Sequence, residues 1–409
     1  MSKVYLKILL IMEMSARYNL KLYLALIFVF YITQRRCYNK SNNKVDTLCK
    51  IGGIIMINYT LNDPTQQMLL PHLKITEELL SRVATKLSGQ KKYAEITAMP
   101  DLGIAHNCTR MMGGFFTGAR YVWDSTVPFV PVDATVNVCG TAVFKLNKEI
   151  SVRKFLERVE MVLADRTRYT WNYTNGNHFV SLCCSNGEYG TESGYYMVVH
   201  ASANEFKNGP NGLYPNSDVW YYDVIQTEYL DGTSRYLRYI AGTPAERFYE
   251  IAKMLISFNE ERNRYFIRNV LQEYLDKEVL SSQHYGMPNS HTVCIGSHWK
   301  PTEYTLLTAP GRPIFLVEPG KNYDGSPHGF GLAVKQPNIE FASDSITIGN
   351  KTFYLGDSIN IGSDALNRCS SLTNDLEDYV SDILDICPGK IIGKLHQIVS
   401  VSKDGTKIW

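Results

Sequence analysis

Short runs rich in β-branched and aromatic residues alternate irregularly with a few helical periods, and this mixture limits the fold more than any other feature. Residues 127–146 are dense in Val, Phe and Thr and predict two buried strands. Residues 76–87 and 151–163 carry their apolar side chains at helical spacing, and the longest helical pattern covers residues 245–278, with room for one break. No repeat or low-complexity linker interrupts the sequence after Met56. The sequence therefore predicts one large α+β domain with mixed β-sheets and flanking helices.

Composition supports a globular protein and narrows its class. Of 409 residues, 44% are hydrophobic and 20% are charged, which is enough apolar material for a real core. The net charge of +2 gives no support to a strongly basic nucleic-acid coat. The nine Cys residues are scattered, odd in number and without a CxxC pair, so a disulfide framework and a zinc ribbon are both disfavoured. We expect reduced thiols and a cytoplasmic location.

The first fifty-five residues form a separate, hydrophobic extension. Residues 22–33 are apolar but too few to span a bilayer comfortably, and basic residues flank them. The pattern fits a membrane anchor over residues 20–36, a cleaved signal peptide, or an over-extended start with true initiation at Met56. The third interpretation is favoured because every recognisable motif follows Met56 and no small-residue cleavage site follows the apolar run. The predicted division is an extension over residues 1–55 and a catalytic domain over residues 56–409.

Four side chains are candidate metal ligands: Cys139 follows a β-branched run, His178 and His200 lie at strand ends, and His284 lies in a polar loop. A thiolate combined with imidazoles suits zinc, manganese or iron better than magnesium. The four residues lie far apart in sequence and match no compact metal motif, and a lone Cys is usually a small buried apolar group. They become a metal site only if the fold brings the strand ends together, where function concentrates.

Classical nucleotide-binding and hydrolase motifs are absent from the sequence. Its glycine-rich stretches, residues 113–114 and 329–331, lack the Gly-Lys-Ser or Gly-Lys-Thr of a Walker loop, and neither is a GxGxxG after a strand. There is also no GxSxG elbow and no HExxH. P-loop and Rossmann nucleotide binding are therefore not supported.

A series of short segments, read in order, resembles the RtcB family of RNA ligases from about Met56 to the C-terminus. The strongest match is residues 171–179 (WNYTNGNHF), which resemble the family's GTxGxGNHF. Residues 136–140 (VNVCG) resemble its D-x-x-C-G, and residues 198–204 (VVHASAN) resemble its VHSGSRG. Weaker matches follow the same order at residues 99–102 (MPDL), 242–245 with 261–264, 298–302 (HWKPT, against HRKGAT), 318–320, 364–368 (DALNR, against HGAGR) and 401–405.

The resemblance implies a single RtcB-like catalytic domain and a specific reaction. Members of the family use two manganese ions (Mn²⁺) and GTP, attach GMP to a histidine and pass it to an RNA 3′-phosphate. A 5′-hydroxyl then attacks and expels GMP, which joins the two RNA ends in tRNA splicing or RNA repair; a 2′,3′-cyclic phosphate is an alternative end. The expected partners are RNA ends and GTP, with no stable membrane partner for residues 56–409.

The resemblance also implies roles for individual residues. Cys139, His178, His200 and His284 would bind metal, while Asn177 and Lys403 would contact the guanine nucleotide. The family's bridging Asp aligns with Val136, which cannot ligate, so Asp133 is the candidate carboxylate ligand.

The nucleophile is the most serious departure from the family. Asp364 stands where the family has its nucleophilic histidine, so it is the candidate nucleophile through an acyl-phosphate. The alternatives are that His328 or another group takes this role, or that guanylylation is lost. The sequence accordingly leaves open an active, divergent RNA ligase, a catalytically degenerate relative that binds metal, nucleotide or RNA ends, and an unrelated metallohydrolase.

Overall fold

The structure is a computed structural model that describes residues 56–203, 208–299, 301–320, 325–335, 338–367 and 376–409. The described residues belong to one compact unit. No helix among them is long and apolar enough to cross a membrane. The predicted extension over residues 1–55, with its candidate anchor over residues 20–36, lies outside the described residues.

Five α-helices occur in the described residues, and the first shows how the sequence sets a boundary. They are α1 (Pro64–Ser88), α2 (Cys108–Gly113), α3 (Val152–Ala164), α4 (Thr243–Leu271) and α5 (Leu376–Ile386). Before α1, the Asp63 side chain accepts a hydrogen bond from the Gln66 backbone N–H, and the Gln66 side chain accepts from the Asp63 N–H. This capping box, with Pro64 in the first turn, satisfies donors that the helix cannot pair internally.

The strands are short and numerous, as the apolar runs predicted. In chain order they are β1 (Ile57–Asn58), β2 (Ala94–Gly103), β3 (Thr117–Trp123), β4 (Phe129–Pro131), β5 (Cys139–Leu146), β6 (Phe179–Ser185), β7 (Gly194–Ser202), β8 (Gln226–Tyr229), β9 (Tyr236–Ala241), β10 (Leu275–Asn289), β11 (Thr292–Ile295), β12 (Ser297–His298), β13 (Tyr304–Leu306), β14 (Ile314–Pro319), β15 (Ser326–Pro327), β16 (Leu332–Val334), β17 (Ile339–Phe341), β18 (Ser345–Ile348), β19 (Lys351–Tyr354), β20 (Ala365–Asn367), β21 (Gly389–Ser402) and β22 (Gly405–Ile408).

One large sheet dominates the described structure. Its strand order is β1-β2-β3-β11-β10-β5-β7-β6-β21-β14-β13, and β22 pairs with β21. Only β1 and β2 of this order pair in parallel; the central strands pair antiparallel. Four smaller sheets of two or three strands accompany it in the described residues. The mixed α+β class predicted from the sequence is confirmed.

Side-chain alternation gives the centre of the large sheet two different faces. Phe144 on β5 packs in a buried cluster with Phe155 of α3 and Phe266 of α4. The adjacent Val143 packs in a separate cluster with Leu316 of β14. Successive residues of a strand point to opposite sides, so the helices cover one face and the β13–β14 region covers the other.

The register of β5 against its two neighbours positions the candidate ligands. Cys139, the first residue of β5, lies opposite Ser202 of β7 and opposite Tyr285 of β10. His200 precedes Ser202 by two residues and therefore shares its face of the sheet. The register of β10 shifts just before Tyr285, at His284. Such a bulge re-aims a side chain, which explains how His284 reaches the same face of the sheet as His200.

Two predicted helix boundaries were wrong for physical reasons. The helix predicted over residues 245–278 ends at Leu271, and residues 275–278 belong to β10. Gln272 has a positive φ of 47°, which stops the helix, and the following residues pair with β5 instead. The helix predicted over residues 76–87 begins earlier, at Pro64, and contains Pro71 in its interior.

Replacing the capping residue of α1 tests this account of the boundary. We expect Asp63→Ala to lower the free energy of unfolding by about 1 kcal/mol, because the first helical N–H groups lose their acceptor. Urea unfolding followed by circular dichroism would measure it. The matched control is Asp231→Ala, since this carboxylate is 99% exposed and approaches only Arg82, at 3.9 Å. A control change as large as that of Asp63→Ala would contradict the capping account.

Candidate metal centre

Three predicted ligands converge in the interior. The Sγ of Cys139 lies 3.5 Å from the Nε2 of His178 and 2.9 Å from the Nε2 of His200. All three side chains are buried, and their potential ligand atoms lie within 4.8 Å of one another. Ligand atoms held 2.0–2.3 Å from a tetrahedral ion are roughly 3.5 Å apart. The spacing is therefore close to that of atoms gathered around one ion.

Hydrogen bonds at the far side of each ring orient the two histidines. The Nδ1 of His178 lies 2.9 Å from the Oδ1 and 3.0 Å from the backbone oxygen of Asn172. The Nδ1 of His200 lies 3.1 Å from the backbone oxygen of Asn177. These oxygens accept, so Nδ1 carries the hydrogen in both rings and Nε2 presents its lone pair towards Cys139. Metal-binding histidines in proteins are oriented in this way.

Three further histidines extend the cluster beyond this trio. The Nε2 of His284 lies 3.1 Å from the Nε2 of His200. The ring centroids of His298 and His328 lie 5.1 and 5.2 Å from that of His284. All three side chains are buried. The predicted ligand His284 therefore lies between His200, which contacts Cys139, and the second pair of histidines, His298 and His328.

Burial keeps three of the imidazoles in the cluster neutral. It lowers the pKa of His200 to about 4 and that of His298 to about 3, and it lowers the pKa of His284 well below the ordinary value. A neutral imidazole offers a lone pair, which a metal ion requires, whereas a protonated ring offers none. At neutral pH these rings are accordingly ready to bind metal without first losing a proton.

Two buried ring nitrogens provide an independent test of fit to a metal ion. The Nδ1 atoms of His284 and His298 have no hydrogen-bond partner in the described part of the chain. The Nε2 of His298 lies 3.2 Å from the carbonyl oxygen of Thr305 and so carries the hydrogen, which leaves a lone pair on Nδ1. Buried polar atoms are normally satisfied, and an orphan calls for a missing partner. A thiolate with several imidazoles fits a transition-metal ion.

His328 has a different environment, because a carboxylate holds it. Its Nδ1 lies 2.5 Å from the Oδ2 of Asp101, which is fully buried. The same oxygen accepts from the backbone N–H groups of His328 at 3.0 Å and Gly329 at 2.9 Å. An oxygen that accepts from three donors fixes the hydrogen on Nδ1, so Nε2 of His328 carries the lone pair. This arrangement is that of a histidine prepared for nucleophilic or base chemistry.

The predicted carboxylate ligand Asp133 lies elsewhere. Arg238 of β9 donates to both of its carboxylate oxygens, at 3.0 Å and 3.1 Å from Nε. Asp133 is fully buried and does not belong to the group formed by Cys139 and its two histidines. A buried carboxylate needs a paired cation, and here that cation is Arg238 rather than a metal ion. Val136, at the aligned position, is a buried core residue.

Asp364 ends a 3-10 turn (Gly362–Asp364) that leads into β20. It is half-buried, and its backbone oxygen accepts from Lys335. Across the described ranges no hydrogen bond or ion pair connects Asp364 to the histidine cluster. The structure therefore supplies no partner that would activate this carboxylate as a nucleophile.

The two predicted nucleotide-binding residues lie at one edge of the cluster. Phe179 of β6 pairs with Ser402 of β21, which places the segment before β6 beside the turn after β21. Asn177 and Lys403 occupy those adjacent segments, and both are exposed. Their side chains are therefore accessible to a ligand that approaches the buried His178 from outside.

Sequence reasoning did not identify His298 as a member of the site, and it named His328 only as an alternative nucleophile. Both lie next to the two-residue pairing of β12 with β15, where Ser297 is opposite Pro327. Strands this short leave no periodic signal. The segment His328, Gly329, Phe330, Gly331 does share its His-Gly-x-Gly spacing with the family motif HGAGR, and this was the signal that could have identified His328.

No model of a known protein family matches the chain, and no curated protein is significantly similar to it.

Removing the central thiolate tests the metal centre. We expect Cys139→Ala to lose its bound transition metal after dialysis, because the remaining rings lack the anionic ligand that His178 and His200 face. Metal content measured by inductively coupled plasma mass spectrometry is the readout. Cys294→Ala is the matched control, since Cys294 is also a buried free thiol but lies in β11. Equal metal content in both variants would count against this centre.

The orientation of His178 can be tested without touching a ligand. Asn172→Ala removes the Oδ1 acceptor of His178 Nδ1, so we expect metal affinity to fall by about 10- to 100-fold. Competition titration with a chelating dye measures the affinity. Asn216→Ala, at an exposed Asn, serves as control. An unchanged affinity in Asn172→Ala would show that this hydrogen bond does not tune the centre.

Proposed function

We propose that this protein is a GTP- and manganese-dependent RNA ligase of the RtcB type, which joins an RNA 3′-phosphate to a 5′-hydroxyl end. The observation that carries the proposal is the buried cluster of Cys139 and histidines next to a carboxylate-held His328. Metal ligands and an oriented nucleophile in one interior site are what phosphoryl transfer through a covalent intermediate requires. The proposed substrates, GTP and RNA ends, are inferred from the sequence resemblance to the family.

His328 is the better candidate nucleophile than Asp364. Asp101 holds the hydrogen on Nδ1 of His328, so Nε2 has the lone pair that attacks the α-phosphorus of GTP. The new N–P bond forms as the bond to pyrophosphate breaks, and pyrophosphate leaves. The positive charge that develops on the imidazole is stabilised by the Asp101 carboxylate. The oxygen of an RNA 3′-phosphate then displaces the histidine, and finally a 5′-hydroxyl displaces GMP.

The metal-binding groups would hold manganese between the phosphates and the protein. Cys139, His178 and His200 form one set of ligands, and His284 with the unpartnered Nδ1 of His298 provides further donors for a second ion. Bound divalent ions would offset phosphate charge and align the attacking and leaving oxygens. The rings need no proton release to bind, because burial already keeps their pKa values low.

A second candidate, a non-catalytic relative that binds metal or RNA ends, is favoured by one observation. Val136 stands where the family has its bridging Asp, and it is buried in the apolar core. The two ions would therefore lack that bridging carboxylate, and Asp133 is already paired with Arg238. This candidate predicts metal binding without a covalent nucleotide adduct.

Covalent labelling distinguishes the two candidates. We expect the full chain, incubated with Mn²⁺ and GTP labelled at the α-phosphate, to form a denaturation-stable GMP adduct. The adduct should be labile in acid, as a phosphoramidate is, and His328→Ala should abolish it. Joining of two short RNAs, one with a 3′-phosphate and one with a 5′-hydroxyl, is the second readout.

Asp364→Asn is the matched control for the identity of the nucleophile. We expect it to retain the labelled adduct, because Asp364 has no described contact with the cluster. An adduct that survives acid, is cleaved by hydroxylamine and is lost in Asp364→Asn would instead identify an acyl-phosphate. Absence of both adduct and joining, with metal still bound, would reject the ligase and leave the binding protein.

A further inference from the structure

Arg110 of α2 is a buried cation without a carboxylate partner. Only 8% of its surface is exposed. Its Nη2 donates to the Thr117 hydroxyl at 3.1 Å, its guanidinium lies over the ring of Tyr285 with 5.2 Å to the centroid, and its Nε has no hydrogen-bond partner in the described structure. No carboxylate of the described residues forms an ion pair with it. Burying an unpaired charge is costly, so such a group indicates a missing anion.

The groups that surround Arg110 are neutral. Burial raises the pKa of Tyr121 and of Tyr214, so both remain protonated phenols at physiological pH. The Tyr285 hydroxyl donates to the backbone oxygen of Ala134 at 2.8 Å. Ring faces and phenols stabilise a cation only partly. The positive charge of Arg110 is therefore not cancelled locally.

Contacts connect Arg110 to the metal cluster on one side. Tyr285, beneath its guanidinium, follows the candidate ligand His284 directly and pairs with Cys139 across the sheet. The cation therefore lies near the end of β5 at which the ligands gather.

Contacts connect Arg110 to the candidate nucleophile on the other side. A Cβ added to Gly296 would lie 2.8 Å from the Cε1 of His328 and 2.9 Å from the Cγ2 of Thr117. Thr117 and His328 thus face the same glycine, and Thr117 is the residue that accepts from Arg110. The guanidinium is therefore separated from the glycine that His328 approaches by one side chain, that of Thr117.

Three other arginines show what distinguishes Arg110. Arg238 is half-buried and has a carboxylate partner, Asp133. Arg262 is fully buried, and it donates to the backbone oxygens of Thr170 and Ser202 and to the Asn259 side chain. Arg235 is also buried; its Nη1 and Nη2 donate to His72 and Thr76, and it packs over a Phe ring away from the cluster. Arg110 combines a position beside the candidate site with no ion pair among the described residues and with fewer described acceptors than Arg262.

We propose that Arg110 is an anion-binding residue that holds a phosphoryl group of the substrate between the metal centre and His328. The inference rests on the proposed function and deepens it, because it names the group that recognises the phosphate. The phosphoryl group belongs to GTP or to the RNA 3′-end. Arginine suits this role, since its planar donors match phosphate oxygens in pairs.

The test compares the manganese-loaded full chain with Arg110→Met and Arg110→Lys. One arm measures binding of a short labelled RNA with a 3′-phosphate against the same RNA with a 3′-hydroxyl. The other arm compares GTP with guanosine by calorimetry. We expect Arg110→Met to lose about tenfold or more of the preference for phosphate in one of the arms, which identifies the source, and Arg110→Lys to retain part of it. Arg153→Gln, at a 90% exposed side chain, controls for loss of charge alone.

Thermal unfolding without phosphate separates binding from a structural role. An unpaired buried cation replaced by Met should leave the unfolding temperature unchanged or higher. A variant that fails to fold or unfolds well below the wild type would overturn the proposal, and so would an unchanged phosphate preference in both arms. If the wild type itself shows no phosphate preference, the proposed function fails as well. A wild-type preference that Arg110→Met retains rejects only the role of Arg110.

Discussion

The hydrogen-bonded register of β5 between β7 and β10 is the constraint on which the candidate site depends. It sets Cys139 opposite Ser202 of β7 and Tyr285 of β10. Ser202 follows His200 by two residues, so Cys139 and His200 lie on the same face of the sheet. A register shift of β7 or β10 by one residue relative to β5 would turn His200 or His284 towards the face that the helices cover, where Phe144 packs. The apolar alternation that builds the two cores therefore also fixes which strand ends can share an ion. The site and the core are specified by the same pairing.

Burial of these polar rings is tolerable in part because three of them have a hydrogen-bond partner on the side away from Cys139. Asn172 orients His178, Asn177 orients His200 through its backbone, and Asp101 orients His328. These hydrogen bonds leave one lone pair of each ring directed inward and offset part of the desolvation cost. An interior of this kind is unfavourable when it holds nothing but protein, which is a physical reason to regard it as a binding site rather than as core.

The sequence could predict the parts of this site that follow strand ends. Cys139, His178 and His200 each adjoin a periodic apolar run, and their convergence needed only antiparallel pairing of those runs. His298 was missed, and His328 was named only as an alternative nucleophile, because the two-residue strands at these positions form only through long-range packing. The same limit explains the helix predicted through residue 278: its apolar spacing continues, but pairing with β5 overrides helical preference after Leu271.

The charge of the site explains how a chain of net charge +2 could select an anionic substrate in the proposed reaction. Burial keeps the imidazoles of His200, His284 and His298 neutral, Asp101 already serves His328, and Arg110 forms no ion pair among the described residues. Bound divalent ions would add positive charge, and a Cys139 thiolate would oppose only part of it. A phosphoryl group would supply the remaining negative charge, in a buried site where the attraction is stronger than in water. Recognition would then depend on a few buried cations rather than on a basic surface, and the overall composition does not reveal a site of this kind.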